Sequence, residues 1–122
     1  MNIDKLKRSL ERSENFLDIV RKIENRACTK EDFEYLQSIA GTLQKEMMRR
    51  GHGKVIYKRA FGLGIFQNYQ IILNFPVLLA TNGLEDEAFD LIPTVKQVLL
   101  AYIQEVKDLI ENPEALKNLQ LK

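Results

Sequence analysis

The chain has 122 residues, 45% hydrophobic and 29% charged, with a formal net charge of +1. That size and mixture support one globular domain and exclude wholesale disorder, and the near-zero charge excludes a global pull toward nucleic acid or acidic membrane. A lone cysteine, Cys28, excludes an intramolecular disulfide and fits a reducing compartment.

From Ile3 to Arg26, the residues Ile3, Leu6, Leu10, Leu17, Val20 and Ile23, with Phe16 and Ile19 beside them, recur at helical spacing. They predict an amphipathic helix. Ser13 falls in the stripe where another apolar residue would fit, and Asp4–Arg8 and Asp18–Lys22 are acid-before-base pairs one turn apart. Only Ala27 to Thr29 links this helix to the next, which favours an antiparallel pair. Thr29 followed by Asp32 resembles a capping box, with Asp in the place of Glu. Phe33, Leu36, Ile39, Ala40, Leu43 and Met47 then form a second stripe. Gly41 lies within it, at a cost of about 1 kcal/mol relative to alanine, and suggests a close approach of two helices. Gly51, after Arg49-Arg50, reads as a C-terminal cap.

The third segment is ambiguous. Lys54 to Ala80 is rich in strand-favouring residues, and Val55-Ile56-Tyr57 and Ile71-Ile72-Leu73 could each form a strand. The helical reading is preferred: one long, mostly buried, central helix over 54–81, bent or broken near Pro76 and ending at Asn82-Gly83. Ala60 to Leu84 carries no charge over 25 residues, yet Gln67, Asn68, Gln70, Asn74 and Asn82 lie within it. Five amides in hydrocarbon would each need an internal partner, so a core segment is expected and no membrane association. The fourth segment opens on Glu85, Asp86 and Glu87, where negative charge suits the helix dipole. Pro93 either kinks it or begins a fresh helix. Val95, Val98, Leu99, Tyr102, Ile103, Val106, Leu109 and Ile110 form the clearest stripe in the chain, and Asn112-Pro113 ends it. The expected fold over 1–122 is a single-domain, all-α antiparallel bundle of four main helices at 3–26, 30–50, 54–81 and 85–111. Neither end carries a secretory or lipidation signal, so a cytoplasmic protein is expected.

Charge is unevenly distributed. Residues 1–61 hold 14 Lys plus Arg against 9 Asp plus Glu, a net of +5, and residues 62–122 hold 4 against 8, a net of −4. The basic excess concentrates in Lys45, Arg49, Arg50, Lys54, Lys58 and Arg59, with Glu46 the one acid among them. His52, Tyr57 and Phe61 lie in or beside the same stretch. Cations with aromatics nearby can hold phosphates and stack a base. The alternative is a solvated loop, partly neutralised by the acidic turn at Glu85–Asp90.

Chemistry-bearing sets are sparse. His52 has no second histidine or cysteine at metal-ligand spacing. The arginine-then-histidine spacing of HEPN-type ribonucleases is not met, because Arg49 and Arg50 precede His52 too closely. Asp86 and Asp90 share a helix face but find no second carboxylate pair, Gly62-Leu63-Gly64 is an incomplete dinucleotide pattern, and no serine sits in a nucleophile elbow. No enzyme, cofactor or metal site is expected.

Phe75-Pro76, then Asn82-Gly83-Leu84, then Ala88-Phe89 resembles a segment of the small helical subunits of type III CRISPR effector complexes. The likeness covers about fifteen of the 122 residues. It implies a helical bundle that lies along a guide–target RNA duplex through a basic face. Two functional expectations follow. The first is a non-catalytic adaptor or regulator acting through protein–protein contacts or as a homo-oligomer. The second is a small nucleic-acid-binding subunit of a ribonucleoprotein that uses Lys45, Arg49, Arg50, His52, Lys54, Tyr57, Lys58 and Arg59.

Overall fold

The computed structural model describes the backbone of residues 3–51 and 65–112 and the side chains of 3–49 and 69–112. It contains α1 (Ile3–Glu24), α2 (Lys30–Gly51), α3 (Ile65–Ala80) and α4 (Glu85–Glu111), with no strand among the described residues. α1 packs on α2 and α4, and α3 packs on the same two helices, which closes a ring of four. Side-chain pairs fix the directions. Arg12 meets Glu46 and Lys22 meets Asp32, so α1 and α2 run antiparallel. Glu24 meets Lys96 and Glu14 meets Lys107, so α1 and α4 do too. The short turn at 81–84 folds α4 back along α3, and the bundle is therefore up-down-up-down.

The buried face of α1 is Leu6, Ser9, Ser13, Phe16, Leu17, Ile19, Val20 and Ile23. The helix ends two residues before the expected boundary. Ala27 N–H donates to Lys22 C=O at 2.7 Å and Arg26 N–H to Ile23 C=O at 3.0 Å, a Schellman cap. Arg26 occupies the left-handed position, with φ 58°, where glycine usually stands. Its guanidinium lies 4.6 Å from the centre of the Phe89 ring, a cation–π contact that ties the cap to α4. The capping box at the start of α2 forms as expected. Thr29 N–H donates to Asp32 Oδ2 at 3.2 Å, and Asp32 N–H donates to Thr29 Oγ1 at 3.0 Å. Leu36, Ala40, Leu43 and Met47 point into the core, with Phe33 and Ile39 at its margin.

The third helix differs from the expectation. Its predicted first part, 54–64, lies outside the described residues, as do the candidate strand at 55–57 and whatever follows Gly51. The described part is one wall of the ring and not a central rod. Tyr69, Ile72, Phe75 and Pro76 are buried, whereas Gln70, Asn74 and Val77 face outward. The amides Gln70 and Asn74 take the place of charges on that outer face, so the described part of the uncharged run still presents a polar surface. The helix also continues past Pro76 to Ala80. Likewise α4 runs unbroken through Pro93. In each case the proline forgoes one intrahelical hydrogen bond, and the packing of the surrounding turns outweighs it. Gly83, at φ 87°, makes the turn between α3 and α4 that only glycine adopts without strain. Among the described residues, no helix is long and apolar enough to cross a membrane.

Candidate anion-binding groove

α1 and α2 carry most of the chain's basic residues, and their antiparallel packing places two short cationic rows side by side. On α1 the row is Lys5, Arg8 and Arg12, at spacings of three and four that keep them on one face. On α2 it is Lys45 and Arg49, one turn apart, with Thr42 and Glu46 between the rows. These seven side chains line an open groove of about 400 Å³. None of them is apolar or aromatic. Five are cations and one is an acid.

Only one of those cations is neutralised within the groove. Arg12 Nε donates to Glu46 Oε1 at 3.0 Å, and Arg12 Nη2 donates to Glu46 Oε2 at 2.6 Å. The two side chains are 27% and 14% exposed, so this bidentate pair forms the groove floor. The hydrogen bond and charge of Glu46 hold the Arg12 pKa above its ordinary value, against the opposing effect of burial. Lys5, Arg8, Lys45 and Arg49 form no ion pair among the described residues. Further along the same helix pair the character changes. A second depression of about 220 Å³ is lined by Asn15, Asp18, Ile19, Lys22, Asp32 and Tyr35, and there Lys22 bridges both acids.

The acidic turn does not offset this groove. Glu85, Asp86 and Glu87 begin α4 at the opposite pole, level with the Arg26 cap. From Arg8 to Arg26 is roughly 25 Å along α1 at 1.5 Å per residue. That is several times the ~8 Å screening length at physiological salt. The expected neutralisation by Glu85–Asp90 concerned the stretch 45–59, most of which lies outside the described residues.

Of the residues singled out in the sequence, Lys45 and Arg49 line the groove. Arg50 lies on α2 with its side chain outside the described set, and His52, Lys54, Tyr57, Lys58 and Arg59 lie outside the described residues. The α1 row was missed because the basic density in the sequence peaks at 45–59, whereas Lys5, Arg8 and Arg12 are diluted by intervening residues. Their spacing on one helix face was the available signal. Among the described residues no cluster of three or more His, Cys, Asp or Glu could hold a metal. Burial, with Asp32 adding to it, pushes the Cys28 thiol above its ordinary value, the wrong direction for a reactive thiolate.

A buried polar layer lies at the same pole as the groove. Ser9 Oγ and Tyr102 Oη share a hydrogen bond of 2.6 Å, and Ser13 Oγ donates to the Ser9 carbonyl at 2.7 Å. Tyr69 is 1% exposed and its hydroxyl has no hydrogen-bond partner among the described residues. Burial, reinforced by Tyr102, pushes its phenol well above the ordinary range. The residues of the CRISPR-subunit resemblance fall elsewhere: Phe75, Pro76, Gly83 and Ala88 build the α3–α4 corner, and none lines the groove. No protein-family model, curated protein or solved structure matches the chain.

Proposed function

We propose that this is a non-catalytic nucleic-acid-binding protein that holds a phosphate backbone in the α1–α2 groove. The observation that carries this reading is the convergence on one groove of four cations, Lys5, Arg8, Lys45 and Arg49, that form no ion pair among the described residues. Unpaired like charges held together repel one another, and a polyanion relieves that repulsion while releasing its own counterions. The chemistry of the lining favours phosphates over an acidic peptide, because a docked helix or strand needs apolar anchor pockets and these seven side chains offer none. Lys5 to Arg12 spans about 10 Å of helix axis. With one phosphate per ~3.4 Å of a strand, that length serves about three phosphates.

The test is fluorescence anisotropy of short labelled RNA, single-stranded and duplex, titrated with the protein at several salt concentrations. Binding insensitive to base sequence is expected, with log K falling against log salt at a slope of about −2 to −3. The variant carrying Arg8→Glu and Lys45→Glu should lose it. Absence of binding by the native protein at low salt would refute the reading.

A second reading, a module acting through protein contacts or self-association, draws on the α3 outer face. Gln70, Asn74 and Val77 make an exposed stripe without charge, and Val77 is 62% exposed. A concentration-dependent mass by light scattering, abolished by Val77→Glu, would favour it.

A further inference from the structure

We infer that Glu46 is a built-in counter-ion that competes with the bound phosphates for Arg12, so that the groove withholds one of its five cations until a phosphate displaces the carboxylate. The inference rests on the nucleic-acid reading of the same groove and adds a regulating residue to it.

Glu46 is the single acid in the basic stretch 45–59, and its position on α2 puts it between Lys45 and Arg49. The antiparallel packing of α1 then brings Arg12 across from it, thirty-four positions earlier in the chain, and the two meet in the fork geometry of 3.0 and 2.6 Å. A guanidinium presents the same planar pair of N–H donors to a carboxylate and to a phosphate. The carboxylate of Glu46 therefore occupies the position on Arg12 that a phosphate would take. Among the described residues no other acid lines the groove.

Two consequences follow for the unliganded protein. Arg12 is held by two hydrogen bonds to Glu46 at the groove. The local self-repulsion of the cations is also lowered by one charge. On binding, a phosphate that takes Arg12 leaves Glu46 as a free carboxylate, which then attracts a solvent cation. The net number of ions released is thus one fewer than the number of phosphates neutralised, and the affinity is set below what five free cations would give. At Arg12 an isolated phosphate must displace Glu46 unaided, whereas a chain already held by Lys5, Arg8, Lys45 and Arg49 does so at high local concentration.

The experiment uses the full chain and a short fluorescein-labelled RNA, with inorganic phosphate as the monovalent comparison. Glu46→Gln keeps the side-chain shape and removes the charge. It should bind the RNA about three- to ten-fold more tightly than the native protein. Its salt slope should be steeper by about one. It should also bind inorganic phosphate more tightly than the native protein does. In parallel, the ¹⁵Nε–H resonance of Arg12 in the native protein, followed by NMR during the RNA titration, should move to a new position at saturation. This second measurement needs no variant and so stands even if Glu46→Gln loses stability. An Arg12 resonance unchanged at RNA saturation overturns the inference and leaves the groove reading intact, as does a Glu46→Gln variant with native affinity and slope. Failure of the native protein to bind RNA at all overturns the groove reading itself.

Discussion

Ser9, Ser13, Tyr69 and Tyr102 place four hydroxyls in the interior of the bundle, and their energetic positions are opposite. Tyr102 and Ser9 satisfy one another, and Ser13 is satisfied by the backbone one turn earlier. Tyr69 is buried without a hydrogen-bond partner among the described residues. A lone buried hydroxyl costs about 1–3 kcal/mol, whereas replacing a satisfied one strands its partner at a similar cost. Tyr69→Phe should therefore raise stability by about 1 kcal/mol, and Tyr102→Phe should lower it by about 1–2 kcal/mol. Thermal or urea unfolding of the two single variants checks the pair of signs. Neither effect was visible in the sequence. Ser13 reads there as a gap in an apolar stripe, and Ser9 lies off the stripe that Leu10 suggests. Which of two adjacent positions faces the core depends on where α4 lies, and that is a tertiary fact. Arg26 is similar: nothing in Asn25-Arg26-Ala27 signals a left-handed cap, because the usual glycine is replaced by a residue whose side chain is held by Phe89.

At the scale of elements, two local devices can be tested without touching the groove. Gly41 sits mid-helix in α2, facing α3. A methyl group built there would meet Leu73 Cδ2 at 3.9 Å, an ordinary van der Waals contact. The close approach expected from the glycine leaves room for alanine. Gly41→Ala should stabilise the protein by about 1 kcal/mol, the difference in helix propensity, and a loss of stability in urea titration would contradict the packing described. The capping box at Thr29 and Asp32 makes a pH-dependent prediction. The Thr29 N–H holds the Asp32 carboxyl below its ordinary pKa against opposing desolvation, with the Thr29 hydroxyl and Lys22 contributing. A group depressed in the folded state contributes stability above its unfolded pKa and loses it as pH falls through the folded value. Asp32→Asn should therefore melt lower than the native protein at pH 7. The gap should close progressively below about pH 4, the ordinary carboxylate value. A gap independent of pH would mean that charge plays no part in the cap.

For the whole molecule, the distribution of charge bears on stability and on the proposed binding. Ion pairs bind α1 to α4 at Glu24–Lys96 and Glu14–Lys107, and α1 to α2 at Lys22–Asp32 and Arg12–Glu46, while Lys5, Arg8, Lys45 and Arg49 form no ion pair among the described residues. Such a cluster favours ligand binding at some expense in stability. Arg8→Glu with Lys45→Glu should thus leave the melting temperature unchanged or raise it at low salt, while nucleic-acid binding is lost. Circular-dichroism melts and anisotropy on the same preparation separate the two effects. A large drop in melting temperature would show that these residues support the fold and would remove the groove as a dedicated surface. By itself the sequence determined the all-α class, the positions of α1, α2 and α4 within a few residues, the capping box and the buried stripe of α4. Each of these follows from helical periodicity and local hydrogen bonding, which a linear chain displays directly. It also marked Lys45 and Arg49 as basic-site residues. Only the tertiary structure decided that α3 is a wall of the ring with an amide-lined outer face, that α4 continues through Pro93, and that the acidic turn lies at the far pole. It alone paired Lys5, Arg8 and Arg12 with the α2 row and set Glu46 on Arg12. The reason is the same in each case. A helix periodicity says which residues share a face, but the neighbour against which that face packs, and hence which charges meet across it, is fixed only when distant segments come together.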